Sequence, residues 1–157
     1  MTILNNKIGV IGLGNMGQPI AEHLANAGSE VFAYDIDTEK TATSNSLVLC
    51  NSIKEVQNHT STLLLSLPDA AAVSAVTSQL SEADTNGPFT VIDTSTIGPQ
   101  NSAEVANVLK QRNGNYLDSP VSGGVRGAKA GSLAVMCAGD QALFEQVLHF
   151  LKPFTAN

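Results

Sequence analysis

Positive charge is scarce in this chain: 8 Lys and Arg stand against 14 Asp and Glu, a formal net charge of −6. The basic residues are scattered from Lys7 to Lys152. Nucleic acids are held by clustered Lys and Arg, so no nucleic-acid partner is expected. Any bound phosphate then falls chiefly to backbone N–H groups. Cysteine is scarcer still. Cys50 and Cys137 lie far apart without metal-ligand spacing, and Cys137 sits in an apolar alternating run. It reads as a buried free thiol rather than a disulfide partner or a nucleophile, and no metal site is expected. His23, His59 and His149 do not cluster and suit surface or helix-end positions. No apolar run reaches the length of a membrane span, and Met1–Lys7 lacks the basic start and small-residue cleavage site of a signal peptide. The expectation is a cytoplasmic location with no membrane partner. No linker, repeat or low-complexity stretch interrupts the 157 residues, so residues 1–157 read as one domain with enough length for a core.

What is present alternates between strand and helix. Lys7 to Gly12 is a short apolar run ending in glycine, which suits a buried parallel strand. Asn15 to Ala27 carries Met16, Ile20 and Leu24 at helical spacing and is stopped by Gly28. Val31–Tyr34 predicts a second strand, Thr38–Ser44 a polar helix and Leu47–Cys50 a short strand. Thr62–Leu67 predicts a strand stopped by Pro68, Asp69–Leu80 a helix and Phe89–Ile92 a strand. Pro99 opens a helix with Val105, Val108 and Leu109 on one face, and Tyr116-Leu117 is a short strand. Ser119–Gly131 reads as a loop, Leu133–Cys137 as a last strand, and Leu143, Val147, Leu148 and Leu151 mark a helix closed by Pro153. Strands alternating with helices over short loops predict an α/β fold: a doubly wound, mostly parallel sheet with helices on both faces.

Gly12-Leu13-Gly14-Asn15-Met16-Gly17 is G-x-G-x-x-G between a predicted strand and a predicted helix. In that setting the first glycine permits a tight turn, the second a close approach of backbone to a pyrophosphate, and the third helix-on-strand packing. The free N–H groups and dipole of a helix start attract phosphate. Asp35 ends the second predicted strand, near the spacing of about 20 residues at which a carboxylate meets the adenosine ribose diol. It also suits a helix cap, and the two roles are compatible. Ile36 follows where an NADP enzyme more often places Arg, and Asp37 and Glu39 add negative charge. NAD is therefore expected over NADP.

Leu117-Asp118-Ser119-Pro120-Val121-Ser122-Gly123-Gly124, with Gly127-Ala128 and Gly131-Ser132-Leu133, closely resembles the substrate-binding signature of the β-hydroxyacid dehydrogenases. That family includes 3-hydroxyisobutyrate dehydrogenase, tartronate semialdehyde reductase and, more distantly, 6-phosphogluconate dehydrogenase. GLGNMG resembles its cofactor loop, Leu67-Pro68 its L-P pair and Asp93-Thr94-Ser95-Thr96 its D-x-S-T segment. The resemblance implies an oxidoreductase that interconverts a β-hydroxyacid and its semialdehyde by hydride transfer with NAD. Gly12, Leu13, Gly14, Asn15, Met16, Gly17 and Asp35 would hold the cofactor, with Leu67, Pro68 and Thr96 on its nicotinamide side. Ser122, Gly123 and Gly124 would hold the substrate carboxylate. Two glycines let backbone N–H groups converge on an anion, and a serine hydroxyl adds a donor. Arg126 and Lys129 occupy variable positions of the signature and read as solvated charges.

The family's general acid/base, a lysine in a G-x-G-x-x-x-K segment, has no counterpart here, so no catalytic residue is assigned. Lys152 precedes Pro153 and lacks the glycines. The expectation is a piece of a longer enzyme whose helical C-terminal domain closes the site and whose parent is a homo-oligomer. Two alternatives stay open: a non-catalytic dinucleotide-binding module, and a 6-phosphogluconate dehydrogenase-like fragment. Asp35-Ile36 lacks the NADP arginine usual in the latter, and Leu133–Cys137 resembles the hydroxyisobutyrate branch.

Overall fold

The computed structural model describes residues 5–40, 45–82 and 87–156. The chain opens with β1 (Lys7–Ile11), α1 (Gly17–Asn26), β2 (Glu30–Tyr34) and β3 (Leu47–Leu49). It continues through α2 (Ile53–His59), β4 (Thr62–Leu65), α3 (Ala70–Glu82), β5 (Phe89–Asp93) and α4 (Pro99–Lys110). β6 (Gly114–Asp118), β7 (Val121–Ser122), α5 (Gly124–Ala130), β8 (Ala134–Val135) and α6 (Gln141–Leu151) follow, with a 3₁₀ turn at Lys152–Phe154.

Successive strand residues face opposite sides of a sheet, and here both sides are apolar, as a parallel sheet covered on both faces requires. Ile8, Val10, Val31, Ala33, Leu64 and Ile92 face one layer with α1 and α6, where Ile20, Leu24, Val147 and Phe150 meet them. Ile11, Phe32, Leu63, Leu65 and Val91 face the other, against Val56 of α2, Val73 and Leu80 of α3, and Leu109 of α4. The six strands run parallel in the order β3-β2-β1-β4-β5-β6. The chain thus winds outward from β1 to β3, then crosses back to lay β4 on the other side of β1. Such a reversal opens a crevice beyond the carboxyl ends of the central strands, the place where doubly wound sheets take ligands.

Gly9 shows how tightly the second layer sits. A Cβ there would lie 2.4 Å from Val56 Cγ1 and 2.8 Å from Leu63 Cδ2, so the bare backbone is what lets α2 settle on β1.

Five sequence expectations change. The predicted helix at Thr38–Ser44 is a turn at Thr38-Glu39, and residues 41–44 lie outside the described residues. α2 was not expected, although Ser52-x-x-Glu55 is a capping box that announces it. Ser52 Oγ accepts the Glu55 N–H at 3.1 Å, and Glu55 Oε2 accepts the Asn51 N–H at 2.6 Å. Ser119–Gly131 is not a plain loop but holds β7 and α5. The last predicted strand shrinks to β8, which pairs antiparallel with β7, across α5 in sequence, in a separate two-stranded sheet rather than joining the main one. On α4, Val105 and Leu109 are buried but Val108 is exposed, because Ser102, one turn before Val105, takes the inward position instead. Among the described residues no helix is long and apolar enough to cross a membrane.

Gly9→Ala must push Val56 or Leu63 aside, and overpacking of this kind costs about 1–3 kcal/mol. Urea denaturation of the variant is expected to show that loss. An unchanged midpoint would mean that α2 gives way freely.

Candidate functional site

The three glycines of the loop after β1 differ in what constrains them. Gly12 has φ +99°, and a Cβ on it would meet the Ser66 carbonyl oxygen at 2.1 Å. A Cβ on Gly17 would lie 1.9 Å from the Gly12 carbonyl oxygen, so α1 can start against the end of β1 only without a side chain. Gly14 has neither reason. Its φ is not positive, and the nearest atom to its virtual Cβ is Lys40 Nζ at 3.9 Å. Among the described residues nothing else comes within 4 Å of that point. α1 starts at the same spot with no side-chain cap on Met16, and the first N–H groups of a helix have no intrahelical partner.

Two adjoining cavities meet at this loop. One, of about 460 Å³, is walled by Gly12, Gly14, Asn15 and Met16, by Tyr34–Asp37 after β2, and by Ile53, Leu67, Pro68, Ala72 and Val76. The other, of about 550 Å³, lies over Leu13, Gly14, Asn15, Gln18, Glu22, Lys40 and Lys129. Gly14, Asn15 and Lys40 border both. Leu13 turns its side chain into the core, at 2% exposure, and serves the loop with its N–H.

Asp35 follows β2 and ties the loop to it. Its Oδ2 accepts the Leu13 N–H at 2.7 Å and its Oδ1 the Asp37 N–H at 2.8 Å. Lys40 Nζ stands 4.0 Å from Oδ2. The sequence points chiefly to backbone N–H groups for a phosphate and does not single out Lys40, because only the turn at Thr38-Glu39 swings it over Gly14.

The wall on the β4–β5 side is braced from below. Asp93, fully buried at the end of β5, accepts the Ser95 N–H and the Tyr116 hydroxyl, each at 2.9 Å. Ser95 Oγ in turn accepts the Leu67 N–H at 2.9 Å, and Thr94 Oγ1 donates to the Leu65 carbonyl at 2.7 Å. Burial raises the Asp93 pKa above the ordinary carboxylate value, against the pull of the bonds from Ser95 and Tyr116. Burial and the neighbouring Asp93 carboxylate push the Tyr116 phenol up as well. Thr96 itself is exposed and borders neither cavity.

Ser122, Gly123 and Gly124 are exposed at the turn from β7 into α5 and also border neither cavity. Gly123 (φ +133°) and Gly124 (φ +62°) adopt conformations that L side chains rarely reach. α5 is pinned to α1 by His23, whose Nε2 lies 3.0 Å from the carbonyl oxygens of both Ala128 and Lys129. Both partners are acceptors, so Nε2 carries the proton and donates. Gly131 is left-handed at φ +65°, and a Cβ there would stand 3.0 Å from the His23 ring. His23 links the glycine loop's helix to the last turn of α5, the helix that the serine–glycine turn opens, a contact that sequence separation concealed.

The buried Asp93 has a pH consequence. Its folded pKa lies above the unfolded value of about 3.9, so the folded state holds the proton more tightly. Stability from this group is intact below that value and is lost as pH rises through the folded pKa. Asp93→Asn removes the titration. Urea denaturation at a series of pH values is therefore expected to show the variant gaining on the parent as pH rises from about 4. A difference that stays constant with pH would refute this.

Comparison with known proteins follows the same lines. Residues 7–157 match the family model of the NAD binding domain of 6-phosphogluconate dehydrogenase. The 2-hydroxy-3-oxopropionate reductase of Escherichia coli (strain K12) is 34% identical over 145 residues, which cover 90% of this chain and 49% of that protein. The solved structure of Mycobacterium tuberculosis 3-hydroxyisobutyrate dehydrogenase with L-serine superposes with a TM-score of 0.90 at 29% identity, covering 96% of this chain and 52% of that one. Psf3 in complex with NADP+ and 2-OPP gives a TM-score of 0.85 at 26% identity, over 96% of this chain and 54% of that one. The chain thus spans about half the length of the relatives it matches. With the 3-2-1-4-5-6 sheet, the glycine loop at its reversal and a family match over residues 7–157, this chain belongs to the NAD-binding-domain family of 6-phosphogluconate dehydrogenase and its β-hydroxyacid dehydrogenase relatives.

Proposed function

We propose that residues 1–157 form one dinucleotide-binding domain that takes NAD in preference to NADP, within a protein that interconverts a β-hydroxyacid and its semialdehyde. The observation that carries the cofactor reading is Gly14. Among the described residues nothing requires glycine there, whereas Gly12 and Gly17 are required by backbone contacts. A ligand pressed against the uncapped start of α1 supplies the reason, and pyrophosphate is the chemistry that a helix N-terminus and a bare backbone favour. The residues present fit such a group. Asp35 keeps lone pairs for a ribose diol beyond its bonds to Leu13 and Asp37, and Ile36, Ile53 and Val76 offer apolar surface for an adenine. Leu67 and Pro68 continue the cavity toward the carboxyl end of β4, the nicotinamide side, with Thr96 beyond them.

A bound nicotinamide dinucleotide supplies the hydride donor or acceptor. The chain's own work is to hold and orient: the N–H groups after Gly14 on the phosphates, and Ser122, Gly123 and Gly124 on a substrate carboxylate. The proton transfer at the substrate oxygen belongs, by resemblance, to a lysine segment that these 157 residues do not contain. Homo-oligomerisation of the whole protein rests on the same resemblance. The free thiols of Cys50 and Cys137 suit a reducing compartment, and cytoplasmic location is part of this reading.

Lys40 supports a competing preference, since its ammonium could meet a 2′-phosphate. Charge-assisted bonds from a ribose to Asp35 are worth about 1.5–3 kcal/mol, enough for about tenfold discrimination or more. Titration calorimetry is expected to show NADH binding at least about tenfold tighter than NADPH. Asp35→Ala narrows the gap, and Asp35→Ala with Ile36→Arg reverses it. Tighter NADPH binding that disappears in Lys40→Ala would overturn the preference and assign the phosphate to Lys40.

A second titration tests the cofactor reading itself. Gly14→Val is expected to unfold at the parent's urea midpoint, because the space beside Gly14 is open, and to lose NADH binding. A variant that binds NADH normally would leave the loop as a turn and nothing more.

A further inference from the structure

We propose that Cys50, Glu55 and His59 form a binding site for a divalent cation of the zinc class. One ligand atom from each side chain comes together such that all three lie within 4.8 Å of one another. No motif announces this set in the sequence, since the site is made by the turn from β3 into α2. Cys50 follows β3, Ser52 caps the helix, and Glu55 and His59 stand one turn apart on the same face of α2. Zinc bonds of about 2.0–2.3 Å place tetrahedral ligand atoms about 3.3–3.8 Å apart. Small rotations of the exposed His59 and the partly buried Glu55 close that difference around the buried Cys50.

The arrangement has the supports that orient metal ligands elsewhere. The Asn51 N–H fixes one Glu55 oxygen at 2.6 Å, and a carboxylate retains lone pairs for a cation. The His59 ring is stacked on Phe32 with centroids 4.3 Å apart and planes within 4°. Among the described residues no ion pair engages Glu55. A thiolate with an imidazole and a carboxylate selects zinc or a neighbouring transition metal, because calcium and magnesium take oxygen ligands. Three protein ligands leave the fourth position to water. The ion would clamp α2, whose Ile53 lines the dinucleotide cavity, to the end of β3. The inference does not rest on the dinucleotide reading, and its test uses no cofactor.

The test titrates the 157-residue chain with Zn²⁺ against a chromophoric chelator and with Co²⁺ as a spectroscopic probe. One equivalent of zinc is expected to bind. Co²⁺ is expected to give a thiolate charge-transfer band with tetrahedral ligand-field bands, unchanged in Cys137→Ser and lost in Cys50→Ser. Removing a supporting partner of a metal ligand costs about 10–100-fold in affinity, so removing a ligand itself is expected to cost at least that range. Glu55→Gln and His59→Gln, at exposed or partly exposed positions, carry this measurement if Cys50→Ser does not fold, and thermal melts without metal verify that both stay folded. Absence of the charge-transfer band, or zinc affinity that survives both Glu55→Gln and His59→Gln as an adventitious ion would, overturns the site.

Discussion

A gap too small for a single methyl group governs the centre of this molecule. Gly17 begins α1 with its Cα against the carbonyl of Gly12, where a Cβ would stand 1.9 Å from that oxygen. The contact brings the helix start to the carboxyl end of β1 rather than several ångströms away, so the unpaired N–H groups open straight into the crevice. Gly12 can turn there because its own missing Cβ clears the Ser66 carbonyl of the neighbouring strand's end. Two glycines thus fold the loop, and the third, Gly14, keeps the loop's outer face bare. A loop so tightly packed against two strands has little freedom left, and Asp35 takes up much of what remains by accepting the Leu13 N–H.

The electrostatics of the crevice follow from that geometry. The helix dipole at α1 carries partial positive charge toward the cavity, and Lys40 adds a full one beside it. Asp35, with a side chain 9% exposed, sits 4.0 Å from Lys40 and so presents a partly balanced carboxylate. Positive charge is thus gathered on the Gly14 side, and carboxylate acceptors on the Asp35 side. The net charge of −6 says nothing of this local pattern.

A second set of contacts joins the crevice to the rest of the fold. Asp93 holds Ser95, which holds Leu67, so the loops after β4 and β5 move as one wall. His23 does the same on the other side by tying α1 to α5, below the turn that bears Ser122. Buried polar chains of this kind are costly if broken, since each orphaned donor or acceptor forfeits its solvation. They fix where two cavity walls stand: Leu67 lines one cavity and Lys129 the other, while Asp93, Ser95 and His23 border neither.

Local rules carried much of this. The parallel strands, α1, α3, α4 and α6 were legible because apolar runs and 3.6-residue periodicity belong to each segment by itself. The jobs of Gly12 and Gly17 were legible because strand, loop and helix follow one another directly. α2 went unseen despite its capping box, since its seven residues carry only Ile53 and Val56 inward, too few for a periodic signal. The pairing of the last predicted strand, β8, with β7 inside the stretch expected as a loop went unseen, because alternation says that a strand is half buried, not which partner it meets. Lys40 over Gly14, His23 on α5, the Asp93 brace and the cluster of Cys50, Glu55 and His59 were set by tertiary structure alone. Each depends on where a turn directs the chain, or on elements far apart in sequence arriving side by side. By itself the sequence determined the order of strands and helices and the glycine loop, because periodicity and steric demand act over a few residues. Only folding decided which charges and ligands face one another, because those distances are summed over every turn between them.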